Sequence, residues 1–102
     1  MFYTKLLKQM LKVNEYFDGK VKSIACENAD GVSTVGVISV GEYEFGTSTK
    51  ESMHIISGTM DVLLPESQTW KMYKAGDAFR VDKNKKFKVK AAEPVAYLCY
   101  YR

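Results

Sequence analysis

The chain has 102 residues and a formal net charge of +3, with 46% hydrophobic and 26% charged residues. That length makes one domain with a single core, which needs neither a disulfide nor a metal merely to fold. Lysine supplies most of the positive charge and Arg80 and Arg102 are the only arginines, which argues against the Lys/Arg stripe of a nucleic-acid binder.

From the N-terminus, residues 2–12 place Phe2, Leu6, Leu7, Met10 and Leu11 near helical spacing between Lys5, Lys8 and Lys12. This predicts a short amphipathic helix, or an arm that packs on a partner subunit. The lysines interrupt any hydrophobic run and no small-residue cleavage site follows, so the segment does not read as a secretory signal. No stretch approaches the length of a transmembrane helix. The expected compartment is the cytoplasm, with no membrane partner.

After a turn at Asp18-Gly19 the pattern becomes short strands. KVKSIAC (20–26), STVGVISV (33–40) and EYEFGT (42–47) come first, then MHIIS, a turn at Gly58 and MDVLLP. WKMY, AFRV, FKVKA and AYLCYYR follow, separated by Gly, Asp, Asn and Lys. Seven Tyr, five Phe and one Trp suit half-buried pleated surfaces. Strands at this spacing predict an antiparallel sandwich or barrel, not a βαβ fold. The dense basic run DKNKKFKVK (82–90) reads as a solvated hairpin and strand face that raises the local concentration of small anions. Cys26 and Cys99 lie far apart in sequence and read as buried apolar residues, not a disulfide or zinc pair.

The stretch ESMHIISG carries an acidic residue and a glycine, Glu51 and Gly58, separated by six residues. This resembles half of the first motif of cupins, small double-sheet jelly rolls. KAGDAF, with Gly76, resembles the start of the second motif. The resemblance would put metal-binding histidines near Phe45, Thr47 and Phe87, and none of these is a donor that holds a metal. A lone carboxylate does not retain iron, manganese or zinc. His54 sits among apolar residues and on the opposite parity from Ile55, so a structural role is the expectation.

A closer likeness joins NEYFDGKVKSI (14–24), VGV (35–37), GEYEF (41–45), the stretch around MHIISG and VLLP, and AEPVAYLCYY (92–101). Together these are similar to the small single-cupin pyrimidine/purine nucleoside phosphorylases. The resemblance implies an all-β, cupin-type antiparallel jelly-roll barrel over residues 13–102, with residues 1–12 as a short N-terminal extension. Asp82-Lys83 departs from the Pro-Gly-like turn expected before Phe87. The resemblance further implies phosphate-dependent cleavage of nucleosides to free base and pentose 1-phosphate, and a homodimer. Inorganic phosphate is then the co-substrate and no cofactor is called for.

Phosphorolysis asks a protein to position phosphate, stabilise an electron-poor sugar and help the base leave, all by placement and electrostatics. For the sugar, Glu51 is the first candidate carboxylate and Glu42 the second, with Glu44 and Glu93 nearby. For phosphate the candidates are Lys22, Arg80, Thr47 and Ser48, as point charges and hydroxyl donors. Arg80 stands between Phe79 and Val81, so burial beside an anion is one expectation for it and escape to solvent the other. For the base, Tyr43, Phe45, Phe87, Tyr97 and Tyr101 offer aromatic faces that accept purines and pyrimidines alike. Strand alternation puts Tyr97, Cys99 and Tyr101 on one face and Leu98 and Tyr100 on the other. Two other classes stay open from sequence: a non-catalytic cupin that binds a small ligand, and a metal enzyme using His54, Glu51 and Cys99.

Overall fold

A computed structural model describes residues 11–102. The proposed helix or arm at residues 2–12 lies almost wholly outside the described residues. The remainder folds into ten antiparallel strands: β1 (Val13–Tyr16), β2 (Val21–Asn28), β3 (Gly31–Ile38), β4 (Gly41–Gly46), β5 (Glu51–Ser57), β6 (Thr59–Leu63), β7 (Lys71–Lys74), β8 (Ala78–Val81), β9 (Lys86–Ala91) and β10 (Val95–Tyr100). They form a six-stranded sheet, β1-β2-β3-β10-β5-β8, and a four-stranded sheet, β4-β9-β6-β7. Strand β1 is absent from the sequence reading, because VNEY is short and its Asn and Glu are poor strand formers. Pairing with β2, from Val13 opposite Ile24 to Tyr16 opposite Val21, holds it in place.

Period-two alternation decides which side chains reach the interior. Phe87, Val89 and Ala91 point inward on β9, while Lys86, Lys88 and Lys90 face water. On β10, Val95, Tyr97 and Cys99 are buried between half-buried neighbours. Val21, Ile38, Val62, Val89 and Val95 are fully closed off at 0% exposure. Each such side chain contributes roughly 1.5–3 kcal/mol of hydrophobic stabilisation. Gly58, at φ +87, closes the β5–β6 hairpin, and a Cβ there would stand 2.7 Å from the Pro94 carbonyl oxygen. The cupin-like glycine is therefore a backbone requirement.

Register lines the inner face of the large sheet in rows. Val21, Ile38 and Val95 form one apolar row. Ser23, Gly36, Tyr97 and Ile55 form the next. Ala25, Thr34, Cys99, Met53 and Phe79 form a third. The first row belongs to the packed end of the core. The other two carry polar groups and open into a cavity.

Candidate active site

The cavity, of about 490 Å³, is lined by Ser23, Glu51, Met53, Tyr97, Cys99 and Tyr101 from the large sheet and its C-terminal continuation. Phe45, Gly46, Ser48 and Phe87 line the side formed by β4, β9 and the loop after β4, and Tyr16, Phe17 and Glu44 complete the lining. Hydroxyls, a thiol and a carboxylate thus face aromatic rings across one space. Phe45 and Phe87 are register partners on β4 and β9, with ring centroids 5.6 Å apart.

Glu51 opens β5 on the same inward parity as Met53 and Ile55, which brings its half-buried carboxyl against β10. The Cys99 thiol donates to its Oε1 at 3.6 Å. Burial pushes the Glu51 carboxyl above the ordinary value of 4.5, and the thiol hydrogen bond only partly offsets this. Cys99 is itself pushed up to about 12, chiefly by burial and then by the Glu51 charge. Both effects favour the protonated thiol.

Tyr97 reaches the cavity because its partner on β3 has no side chain. A Cβ at Gly36 would stand 2.6 Å from the Tyr97 Cζ and hydroxyl. The ring covers that glycine, with Ser23 as the next residue of the row. Burial, reinforced by Cys99, pushes the Tyr97 phenol to about 12, with the Ser23 hydroxyl acting in the opposite direction. Ser23 accepts a hydrogen bond from the Asn14 amide at 3.3 Å. Tyr101 shares a 2.9 Å hydrogen bond with Thr34. Burial raises its phenol as well.

Of the residues singled out from sequence, Glu51, Glu44, Phe45, Phe87, Tyr97, Cys99, Tyr101 and Ser48 converge here. The rest do not. Glu42 is exposed on the outer face of β4 opposite Lys90. Tyr43 is buried beside Phe45, and its hydroxyl donates to the carbonyls of Ser39 at 3.0 Å and Val40 at 3.1 Å. Lys22 projects outward from β2 and pairs with Glu15 at 3.3 Å. Arg80 is exposed on the outer side of β8 while Phe79 and Val81 turn inward, so of its two expected fates it takes escape to solvent. The Thr47 hydroxyl donates to the Asp82 carbonyl at 2.6 Å and accepts from the Lys85 amide at 3.0 Å. It fastens the 82–85 turn, where Asn84 at φ 59 supplies the left-handed residue that a Pro-Gly turn would otherwise provide. Cys26 is exposed, contrary to the expectation of burial, because it lies on the outer parity of β2. Among the described residues no lysine or arginine lines the cavity.

The sequence reading passed over Ser23, Gly36, Tyr16 and Phe17. Ser23 and Gly36 gain their roles only from register. The signal for the other two was their place beside the Asp18-Gly19 turn.

A cupin metal does not fit this donor set. Two of the three histidine positions are the phenylalanines facing each other across β4 and β9, and the third, Thr47, is spent on backbone groups. His54 lies on the opposite face of β5 from Glu51, with its Nε2 3.2 Å from the Ser52 hydroxyl and its ring edge-on to Tyr100 at 5.3 Å. Among the described residues no three His, Cys, Asp or Glu side chains are grouped to hold a metal.

The profile of the pyrimidine/purine nucleoside phosphorylase family matches residues 11–101. A Pseudomonas fluorescens protein of that name is 56% identical over 93 residues, covering 91% of this chain and 99% of its own. A Rhodopirellula baltica protein of the same name is 55% identical over 91 residues, covering 89% and 99%. A crystal structure from Vibrio parahaemolyticus, of unknown function, superposes with a TM-score of 0.87 at 35% identity, covering 91% of this chain and 99% of that one. An RmlC-like cupin from Shewanella frigidimarina superposes at 0.67 with 14% identity, covering 89% and 82%, which speaks to the fold alone. The fold is an all-β cupin, and the chain belongs to the pyrimidine/purine nucleoside phosphorylase family.

Proposed function

We propose that this chain catalyses metal-independent phosphorolysis of purine and pyrimidine nucleosides in the cytoplasm, as a homodimer. The bond from C1′ to the base nitrogen breaks, a phosphate oxygen bonds to C1′, and the base nitrogen takes up a proton. The observation that carries the reading is a half-buried carboxyl, Glu51, facing aromatic rings inside a cavity of about 490 Å³. A cavity of that size takes a nucleoside. Ionised, Glu51 accepts hydrogen bonds from the ribose hydroxyls and opposes the positive charge that develops on the sugar. Phe45 and Phe87 offer faces to the base without reading its edge, which suits breadth of substrate. Ser48 and the hydroxyls of Ser23 and Tyr97 are neutral donors for phosphate oxygens. The unsuitability of the cupin ligand positions for a metal supports the metal-independent form of the reaction.

The test is base release from uridine, inosine and adenosine, with and without phosphate, in the presence of EDTA. Phosphate-dependent release that survives EDTA, with pentose 1-phosphate formed in equal amount, is the expected result. No release overturns the proposal, and loss of release with EDTA overturns its metal-independent part. Nucleoside binding without turnover would instead make the chain a ligand-binding cupin. Sedimentation equilibrium checks the dimer.

A further inference from the structure

The β1–β2 hairpin ends in a strained turn. Phe17, Asp18 and Gly19 have φ of 55, 57 and 83, and two successive turn hydrogen bonds run from Gly19 N–H to Tyr16 O and from Lys20 N–H to Phe17 O, each at 3.2 Å. Asp and Gly adopt such a conformation readily, but a bulky phenylalanine does so only when its surroundings impose it. Here the surroundings are rings. Phe17 lies 5.0 Å from Tyr43 and 5.6 Å from Phe45, the latter edge-on at 88°. Phe45 continues the line to Phe87. Exposure along the line falls from 43% at Phe17 to 2% at Phe87, so Phe17 stands at the open end of the cavity that both rings line. An asparagine would make the same turn with less strain. Strain of this kind gathers at ligand sites.

We propose that Phe17 is a nucleobase-stacking residue. The planar base of a purine or pyrimidine nucleoside lies against the exposed part of its ring, while the sugar reaches inward to Glu51. Phe17 thereby joins Phe45 and Phe87 in the base subsite. The inference rests on the nucleoside phosphorylase reading and extends it to a residue contributed by the edge hairpin.

The test compares Phe17→Asn, which keeps the left-handed turn and removes the ring, with Phe17→Tyr, which keeps the ring. Phe17→Leu serves as a second ring-less variant if the Asn protein does not fold. Loss of a base–aromatic stack raises the KM for uridine and inosine alike by about tenfold, with kcat little changed. The phosphate KM stays within about twofold and Phe17→Tyr retains wild-type values, as expected when only uniform nucleoside binding is removed. An unchanged nucleoside KM in the ring-less variant overturns the proposal. So does a parallel rise in the phosphate KM, which marks a merely structural role, or the same loss in Phe17→Tyr. If the wild-type protein releases no base, the phosphorylase reading fails by itself. NMR titration with free uracil and hypoxanthine then decides the subsite: binding lost in Phe17→Asn and kept in Phe17→Tyr supports it, and no binding to wild type overturns it.

Discussion

The Cys99 thiol stands 3.6 Å from Oε1 of Glu51, so a carboxyl on β5 takes a hydrogen bond from a residue on β10 that is only 1% exposed. Two consequences follow from opposing effects at that carboxyl. Burial raises its pKa and the thiol lowers it. The activity proposed here uses the ionised form, so kcat/KM falls as pH drops through the raised value, at a pH above the ordinary 4.5. Glu51→Gln lowers kcat by about a hundredfold or more, the scale on which loss of one well-placed electrostatic group is felt. A variant with unchanged turnover would remove Glu51 from the mechanism.

The same carboxyl makes a prediction for stability. Its proton is held more tightly in the folded chain than in the unfolded one, so between 4.5 and the raised value the folded state binds more protons. Its contribution to stability is therefore greatest below 4.5 and is lost as pH rises through that window. Glu51→Gln keeps the size of the side chain without the charge. It should melt above wild type at pH 7 and converge with it in acid. A variant less stable at pH 7 would mean that the charge is compensated in the fold.

Cys99 and Cys26 should differ sharply in reactivity. Cys26 is exposed, whereas Cys99 is buried with its thiol pushed up to about 12. Iodoacetamide at pH 8 is expected to modify Cys26 in the native protein and Cys99 only after unfolding, as peptide mass mapping would read. Cys99→Ala removes a buried side chain and the hydrogen bond, costing about 1–2 kcal/mol of stability. It also shifts the acid limb of activity to higher pH, because the carboxyl loses the partner that held it down.

Gly36→Ala tests how the large sheet holds Tyr97. The added Cβ meets the ring at 2.6 Å and the Lys22 carbonyl oxygen at 2.7 Å. The first clash can be relieved by moving a side chain, but the second is with backbone. We expect a loss of about 1–3 kcal/mol in denaturant unfolding, as for other overpacked sites. Tyr97→Ala in the same chain should recover only part of it. Full additivity of the two changes would show that the ring does not lie where Gly36 admits it.

The cavity's own donors and the outlying cations separate in the phosphate dependence. Ser48 lines the cavity, whereas Lys22 is engaged by Glu15 and Arg80 faces outward. Ser48→Ala is expected to raise the phosphate KM several-fold, since it removes one direct donor worth about 1 kcal/mol. Lys22→Met and Arg80→Met should leave it within about twofold. Weakening by either of the latter would mean that charge beyond the described cavity wall draws in the anion.

Alternation and turn residues in the sequence determine the all-β class, most of the strands and the shared face of Tyr97, Cys99 and Tyr101, while the likeness to the cupin motifs pointed Glu51 inward. These are local properties: period two sorts side chains between two faces, and Gly58 declares a turn wherever it folds. Lys22 falls on the outer parity of β2 and lies in solvent, not at the phosphate position the sequence reading offered it. Parity does not say which inward residues meet. Ser23, Gly36 and Tyr97 share one row, and Thr34, Cys99 and Met53 the next, because β10 inserts between β3 and β5, far from both in sequence. Tertiary structure alone set Thr47 on a turn, Tyr43 against backbone carbonyls and Phe17 over the cavity. Each depends on a segment brought near by the folding of two sheets onto one another, and no local pattern encodes that distance.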